Sequence, residues 1–146
     1  MTRDDDSALS SEKRADLKER KNIINDENTD IVVSIHQNSF PKESVKGAQV
    51  FYYKKSEQSK RLAECIQTRL KEFADKSNTR IPKANLDYYI LKNTQKPAVI
   101  VECGFLSNNE ENKKLNSEEY QEKIAWAIYM GITDFCKSLE IEQANA

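Results

Sequence analysis

The chain has 146 residues, with 23 Lys and Arg against 24 Asp and Glu, one His, three Cys, three Gly and a formal net charge of -1, at a mean hydropathy of -0.80. This length suits one domain, the hydrophobic share of 38% makes its core thin, and three widely spaced glycines (Gly47, Gly104, Gly131) exclude a GxGxxG or Walker phosphate loop. Balanced charge argues against nucleic acid or an anionic membrane surface as the main partner, since either needs a net basic face.

From Ser10 to about Asn25 the residues are charged and helix-favouring, with Ser10 placed to cap and Leu17 and Ile24 on one face. A polar turn cluster, Asn25 to Asp30, leads into Ile31-Val32-Val33-Ser34-Ile35-His36, a β-branched run of the kind buried in a sheet. Pro41 to Lys46 reads as a loop and Gly47 to Tyr53 as a second strand. Ser56 to Ala74 reads as a helix carrying Leu62, Ala63, Ile66, Leu70 and Phe73 at helical spacing. Lys76 to Lys83 reads as a loop and Tyr88 to Leu91 as a short strand. Pro97 sits where a strand tolerates proline, just ahead of Ala98-Val99-Ile100-Val101-Glu102, a second buried strand. A polar stretch from Ser107 precedes Ser117, which caps a long helix with Tyr120, Ile124, Ile128, Phe135 and Leu139 on its apolar stripe. Glu140 to Ala146 reads as a frayed tail.

This order predicts an α/β layered domain: a sheet of mainly parallel buried strands flanked by helices. No apolar run is long enough to span a bilayer, and Met1 to Asp6 lacks the apolar stretch of a signal peptide. The reading is therefore of no stable membrane insertion and no export signal in the chain as given. Cys65, Cys103 and Cys136 are odd in number and form no C-x-x-C pair, so neither a disulfide framework nor a thiolate metal cluster is expected. They read as small buried hydrophobes.

The two most apolar strands each end in a functional group, His36 and Glu102. Ligands of open α/β sheets sit off the carboxyl ends of strands, so both groups emerge at one edge if the strands are parallel neighbours. A neutral imidazole suits zinc, and a carboxylate beside an activated water can take its proton as that water attacks a carbonyl. Singly, the His is as well read as a hydrogen-bonded loop residue and the Glu as a capping or ion-paired group. Their convergence is what favours function. Cys103 adjoins Glu102 but points to the opposite face of a regular strand, which weakens a Cys103/His36 nucleophile pair. The Lys- and Glu-rich helix faces read as solvated surface.

Several segments carry a resemblance: Thr2-Arg3-Asp4-Asp5-Asp6, Ser34-Ile35-His36-Gln37-Asn38, Gly47 to Tyr52, and above all Pro97 to Asn108 with its V-E-x-G-F-L-S-N pattern. In order from residue 2 to about Phe135 the chain resembles the zinc-dependent N-acetylmuramoyl-L-alanine amidases of bacterial cell walls (type 3). Leu86 to Asn93 and Lys13 to Leu17 look most like the sporulation branch, which strips peptide stems from spore-cortex muramic acid ahead of δ-lactam formation. The resemblance implies an amidase catalytic domain over residues 1–139, an extracytoplasmic place of action in cell wall or spore cortex, and peptidoglycan as substrate. It also implies Zn as cofactor, with His36 as a metal ligand and Glu102 as the catalytic carboxylate. Asn38 would either orient substrate or cap its turn. An accessory protein is a further expectation, of unknown identity.

The family's other two zinc ligands, a His in a glycine-rich loop after the first strand and a Glu further on, precede the Thr-Arg segment. Here that segment is Thr2-Arg3, so the first strand of the family fold is expected to be missing and the zinc site incomplete in this chain. The expectation divides accordingly. One branch is the later part of an amidase; the other is a catalytically inactive remnant that binds peptidoglycan or a partner.

Overall fold

The computed structural model describes residues 13–145; Ser10 and the Thr2 to Asp6 segment lie outside them. The elements run α1 (Lys13–Ile24), β1 (Val32–Asn38), β2 (Gln49–Tyr53), α2 (Glu57–Arg69), a π turn (Leu70–Ala74), β3 (Lys83–Asn85), α3 (Tyr89–Asn93), β4 (Ala98–Phe105), α4 (Asn109–Leu115) and α5 (Glu118–Ala144). The strands form one sheet of order β1-β4-β2-β3. β1 and β4 pair parallel, β2 and β3 pair parallel, and β2 runs antiparallel to β4, which bears out the α/β layered sheet.

Every residue of β4 is buried, as its β-branched run requires for a strand covered on both faces. On one face Val50, Val99, Val101 and Cys103 pack with Leu62, Ala63 and Ile66 of α2 and with Ile124, Ala127, Ile128 and Phe135 of α5. On the other face Val32, Phe51, Ala98 and Ile100 form a smaller cluster with Ile24 of α1 and Leu91 of α3. Gly131 lets α5 approach α2 closely: a Cβ there would lie 2.5 Å from Ile66 Cα. β1 and β3 are the edge strands among the described residues, and β1, expected to be buried, has only Val32 buried and leaves Ile35 60% exposed.

Caps explain several boundaries. Ser56 Oγ accepts from the Ser59 amide at 3.2 Å, and Ser117 Oγ accepts from the Tyr120 amide at 3.4 Å, each satisfying an otherwise orphaned helix N–H. The predicted helix from Ser56 to Ala74 forms, but its last turn is a π turn.

Four local readings differ. Tyr88 to Leu91 is not a strand: Asn85 Oδ1 accepts from the amides of Asp87 and Tyr88, each at 2.7 Å, turning the chain into the short helix α3, which buries Leu91. Lys83–Asn85 is a strand rather than loop, because backbone pairing with β2 needs no apolar side chain. The polar stretch after Ser107 holds α4, capped by Asn108 Oδ1 on the amides of Glu110 and Glu111. The last helix continues through Ala144 on exposed residues, past the predicted fraying at Glu140. Among the described residues no helix is long and apolar enough to cross a membrane.

Candidate functional site

The parallel register of β1 and β4 sets His36 directly opposite Glu102. Side chains alternate along a strand, so Ser34 and His36 of β1 share a face with Ile100 and Glu102 of β4. They line a cavity of about 640 Å³, walled by Asp16, Leu17 and Arg20 of α1 and by Tyr88 and Tyr89 at α3. The expected convergence is realised, but within the strands rather than at their ends, since β1 runs on to Asn38 and β4 to Phe105. Cys103 is not part of it, being buried in the opposite core.

Burial also silences that cysteine as a nucleophile. Burial first, and the charge of Glu102 second, push the Cys103 thiol up to about 12, so a thiolate is scarce at neutral pH. All three cysteines are free; Cys103 is buried, while Cys65 and Cys136 are half-buried.

Glu102 is only 9% exposed, and its Oε2 is buried without a hydrogen-bond partner. Burial raises its pKa, an effect opposed in part by His36. A buried carboxylate oxygen without a donor is costly and calls for a proton, a cation or a bound polar group. His36 is exposed, and its Nε2 lies 2.8 Å from Ser34 Oγ. Tyr88 packs edge-to-face on Phe51, with ring centroids 5.5 Å apart, and its own pKa is raised by burial and then by the Glu102 charge.

The loops beyond the two strands are tied to each other. The Leu106 amide donates to Asn38 O at 2.8 Å, the Phe40 amide to Ser107 Oγ at 3.0 Å and Asn108 Nδ2 to Glu43 O at 2.8 Å. Asn38 Oδ1 accepts from the Ser39 amide at 2.8 Å, which is the turn-capping role of the two considered for it. Sequence reasoning missed Glu111, whose carboxylate is buried and accepts from the Gly47 amide through Oε1 and from the Phe105 amide through Oε2, each at 2.8 Å. The available signal was its position three residues after the cap Asn108. It missed Arg20 as a cavity residue as well, because a charged helix face reads as solvated.

His36 and Glu102 are donors of the kind zinc accepts, and the orphaned Oε2 fits a nearby cation. They are two donors, where a catalytic zinc takes about three protein ligands and a water. Among the described residues no group of three or more His, Cys, Asp or Glu is placed to share a metal ion.

The family model described as N-acetylmuramoyl-L-alanine amidase matches residues 1–134. The germination-specific N-acetylmuramoyl-L-alanine amidase of Bacillus subtilis is 36% identical over 140 residues, covering 90% of this chain and 59% of that protein. The CwlD amidase of Clostridioides difficile, solved in complex with the GerS lipoprotein, superposes with a TM-score of 0.88 at 46% identity, covering 94% of this chain and 74% of that one. A second Clostridium difficile N-acetylmuramoyl-L-alanine amidase gives a TM-score of 0.83 at 30% identity, covering 93% of this chain and 70% of that one. The chain thus spans about 59% of the Bacillus relative's length. It belongs to the N-acetylmuramoyl-L-alanine amidase family, an enzyme family of the cell wall, on the branch of the germination-specific amidases.

Proposed function

We propose that this chain forms the part of a zinc-dependent amidase that hydrolyses the amide between the lactyl group of N-acetylmuramic acid and the L-alanine of the stem peptide, in spore-cortex peptidoglycan outside the cytoplasm. The observation that carries the reading is His36 facing Glu102 across β1 and β4, with the Glu102 Oε2 buried and unpartnered. His36 would be one zinc ligand. Zinc, when bound, supplies Lewis acidity to the carbonyl and to the attacking water.

Glu102 does the proton work. Its raised pKa brings it closer to the range where a carboxylate both accepts a proton and releases it. Oε2 takes the proton of the attacking water, and the same oxygen gives it to the departing amine of L-alanine. An amine is a poor leaving group until protonated, so the second transfer matters as much as the first. Ser34 orients the imidazole from the adjacent position on the same strand face. The tied loops after β1 and β4 hold His36 and Glu102 in register.

A partner of the lipoprotein kind found with the Clostridioides difficile neighbour is part of this proposal. The donor count supports a second reading, a non-catalytic peptidoglycan-binding remnant, since the described residues hold one imidazole and no three-donor group. The experiment is to titrate the purified chain with zinc and to follow stem release from cortex muropeptides by mass spectrometry. Stoichiometric zinc with release of stems beginning in L-alanine supports the amidase; muropeptide binding with neither supports the remnant.

A further inference from the structure

On the side of Glu102 away from His36, the sheet carries a guanidinium that the fold fixes in place without a carboxylate. Gln49 of β2 is the antiparallel partner of Glu102, so its side chain lies on the face of His36 and Glu102. Arg80, in the loop ahead of β3, donates from Nη1 to Gln49 Oε1 at 2.8 Å and from Nε to Lys46 O at 2.7 Å. Its Cζ lies 4.8 Å from the centroid of the Phe105 ring. The register shift between His36 and Asn38 sets Phe105 opposite Asn38, which returns that ring to the same face. The loop itself is anchored: buried Asn78 donates to Ala48 O at 2.8 Å and accepts from the Arg80 amide at 3.0 Å. Gly47, at a φ of +99°, makes room for it, since a Cβ there would lie 2.7 Å from Asn78 Oδ1 and 3.3 Å from Arg80 Cδ. Arg20, Arg61 and Arg69 each pair with a carboxylate, whereas Arg80 forms no ion pair among the described residues. Its two side-chain hydrogen bonds leave both N–H groups of Nη2 and one of Nη1 for a ligand. A guanidinium stacked on a ring and held at two points is a pre-aimed planar fork.

We propose that Arg80 is a specificity-determining residue that binds a carboxylate of the stem peptide on the leaving side of the scissile amide, with Gln49 and Phe105 as its positioning residues. The inference rests on the amidase reading for the identity of the peptide. In that reading the acyl carbonyl lies toward His36 and Glu102 protonates the departing nitrogen. The peptide therefore leads away from β1, past Glu102 and across β2, toward Arg80. Neighbouring strands lie about 5 Å apart, and two residues of extended peptide span at most about 7 Å. A carboxylate on the residue after L-alanine thus comes within reach of a long side chain standing beside Gln49. The fork matches a carboxylate in two-point geometry and matches a carboxamide poorly, since the amide nitrogen presents hydrogens to a donor. The ligand class is an acidic stem peptide, unamidated at its second residue.

The test uses the full chain carrying Glu102→Gln, so that binding is read without turnover. The probes are two muramoyl tripeptides, amidated at the C-terminus, that differ only at the α-carboxyl of the second residue, free acid in one and carboxamide in the other. Calorimetry is expected to give a Kd for the acid lower by about tenfold or more, the scale of one charge-assisted hydrogen-bond pair. Adding Arg80→Gln is expected to remove most of that preference. Because it also takes a donor from Gln49 Oε1, some stability goes with it, and the readout is the ratio of the two affinities, which a merely structural role would not move. Arg80→Lys, which keeps the charge and loses the fork, is expected to retain only part of the preference, and Phe105→Leu, which removes the ring under the fork, to weaken it. Equal affinities for the two probes, no binding of either, or a preference that survives Arg80→Gln would overturn the proposal. If Arg80→Gln does not fold, Arg80→Lys decides, and an undiminished preference there overturns the two-point contact. The amidase reading is judged separately, by stem release from the parent chain. Cleavage without a carboxylate preference removes only the role of Arg80, and a preference without cleavage removes only the amidase.

Discussion

Glu111 lies on α4, outside the cavity, yet it clamps the end of the strand that carries Glu102. Its carboxylate accepts from the Gly47 and Phe105 amides at 2.8 Å each, at a site 4% exposed. A hydrogen bond to a charged group contributes about 1.5–3 kcal/mol net. Glu111→Ala leaves two buried N–H groups without acceptors but also removes a buried charge, so the expected loss is about 3–5 kcal/mol. Glu111→Gln keeps one good acceptor and turns an NH2 toward the other amide, for roughly half that loss. Against a total stability of about 5–15 kcal/mol, either change is large. Urea unfolding followed by circular dichroism reads the effect directly. With a slope of about 1–3 kcal/mol per molar, the midpoint of Glu111→Ala should fall by roughly 2 M. The Gln variant should lie between Ala and parent. A midpoint within experimental error of the parent's for Glu111→Ala, at unchanged slope, would refute the clamp.

Other consequences follow from burial and packing. Because burial raises the Glu102 pKa above its unfolded value, the protonated form is favoured in the folded state; the stability this gives is present below the unfolded pKa and lost as pH rises through the folded one. Glu102→Gln should therefore be more stable than the parent at neutral pH, with the difference shrinking on acidification; a variant less stable at pH 7 would count against that burial. Gly131→Ala places a Cβ 2.5 Å from Ile66 Cα and should cost about 1–3 kcal/mol through the α2–α5 contact; an unchanged melting temperature would show that the helices are free to part. Cys103→Ala should leave hydrolysis intact, and the folded chain's Cys103 should resist thiol reagents at neutral pH, since its thiol is pushed up to about 12; inactivation by alkylation at Cys103 would contradict this.

The parts of the molecule that were legible in the sequence are those where side-chain burial decides the structure. β4 announces itself as a β-branched run because it is packed against helices, and the stripes of α2 and α5 are the matching faces; β1 carries the same kind of run yet is an edge strand with Ile35 exposed, so its run marked a strand but not its burial. The elements that were misread are set by backbone and local polar bonds. β3 is made by pairing with β2, α3 by two bonds to Asn85, and α4 by the Asn108 cap. None of these leaves an apolar period to read.

The candidate site divides the same way. His36 and Glu102 could be placed on the two β-branched strands from the sequence, though both strands run on past them, and parallel pairing made them neighbours. Asp16 and Arg20 could not, since which face of a charged helix covers a cavity depends on tertiary packing rather than on composition. Glu111 was hidden because its two partners lie 64 residues before it and 6 before it, on β2's approach and at the end of β4.

The central claim is that Glu102 carries the proton for amide hydrolysis in a site where His36 holds zinc. It is tested most directly by the rate of stem release from muropeptides, parent chain against Glu102→Gln, each at saturating zinc. The expected result is a measurable parental rate that falls by about 10²–10⁴ in the variant, the scale of general acid–base catalysis, with zinc affinity retained. A parent chain that releases no stems, or a Glu102→Gln chain that releases them at the parental rate, would contradict it.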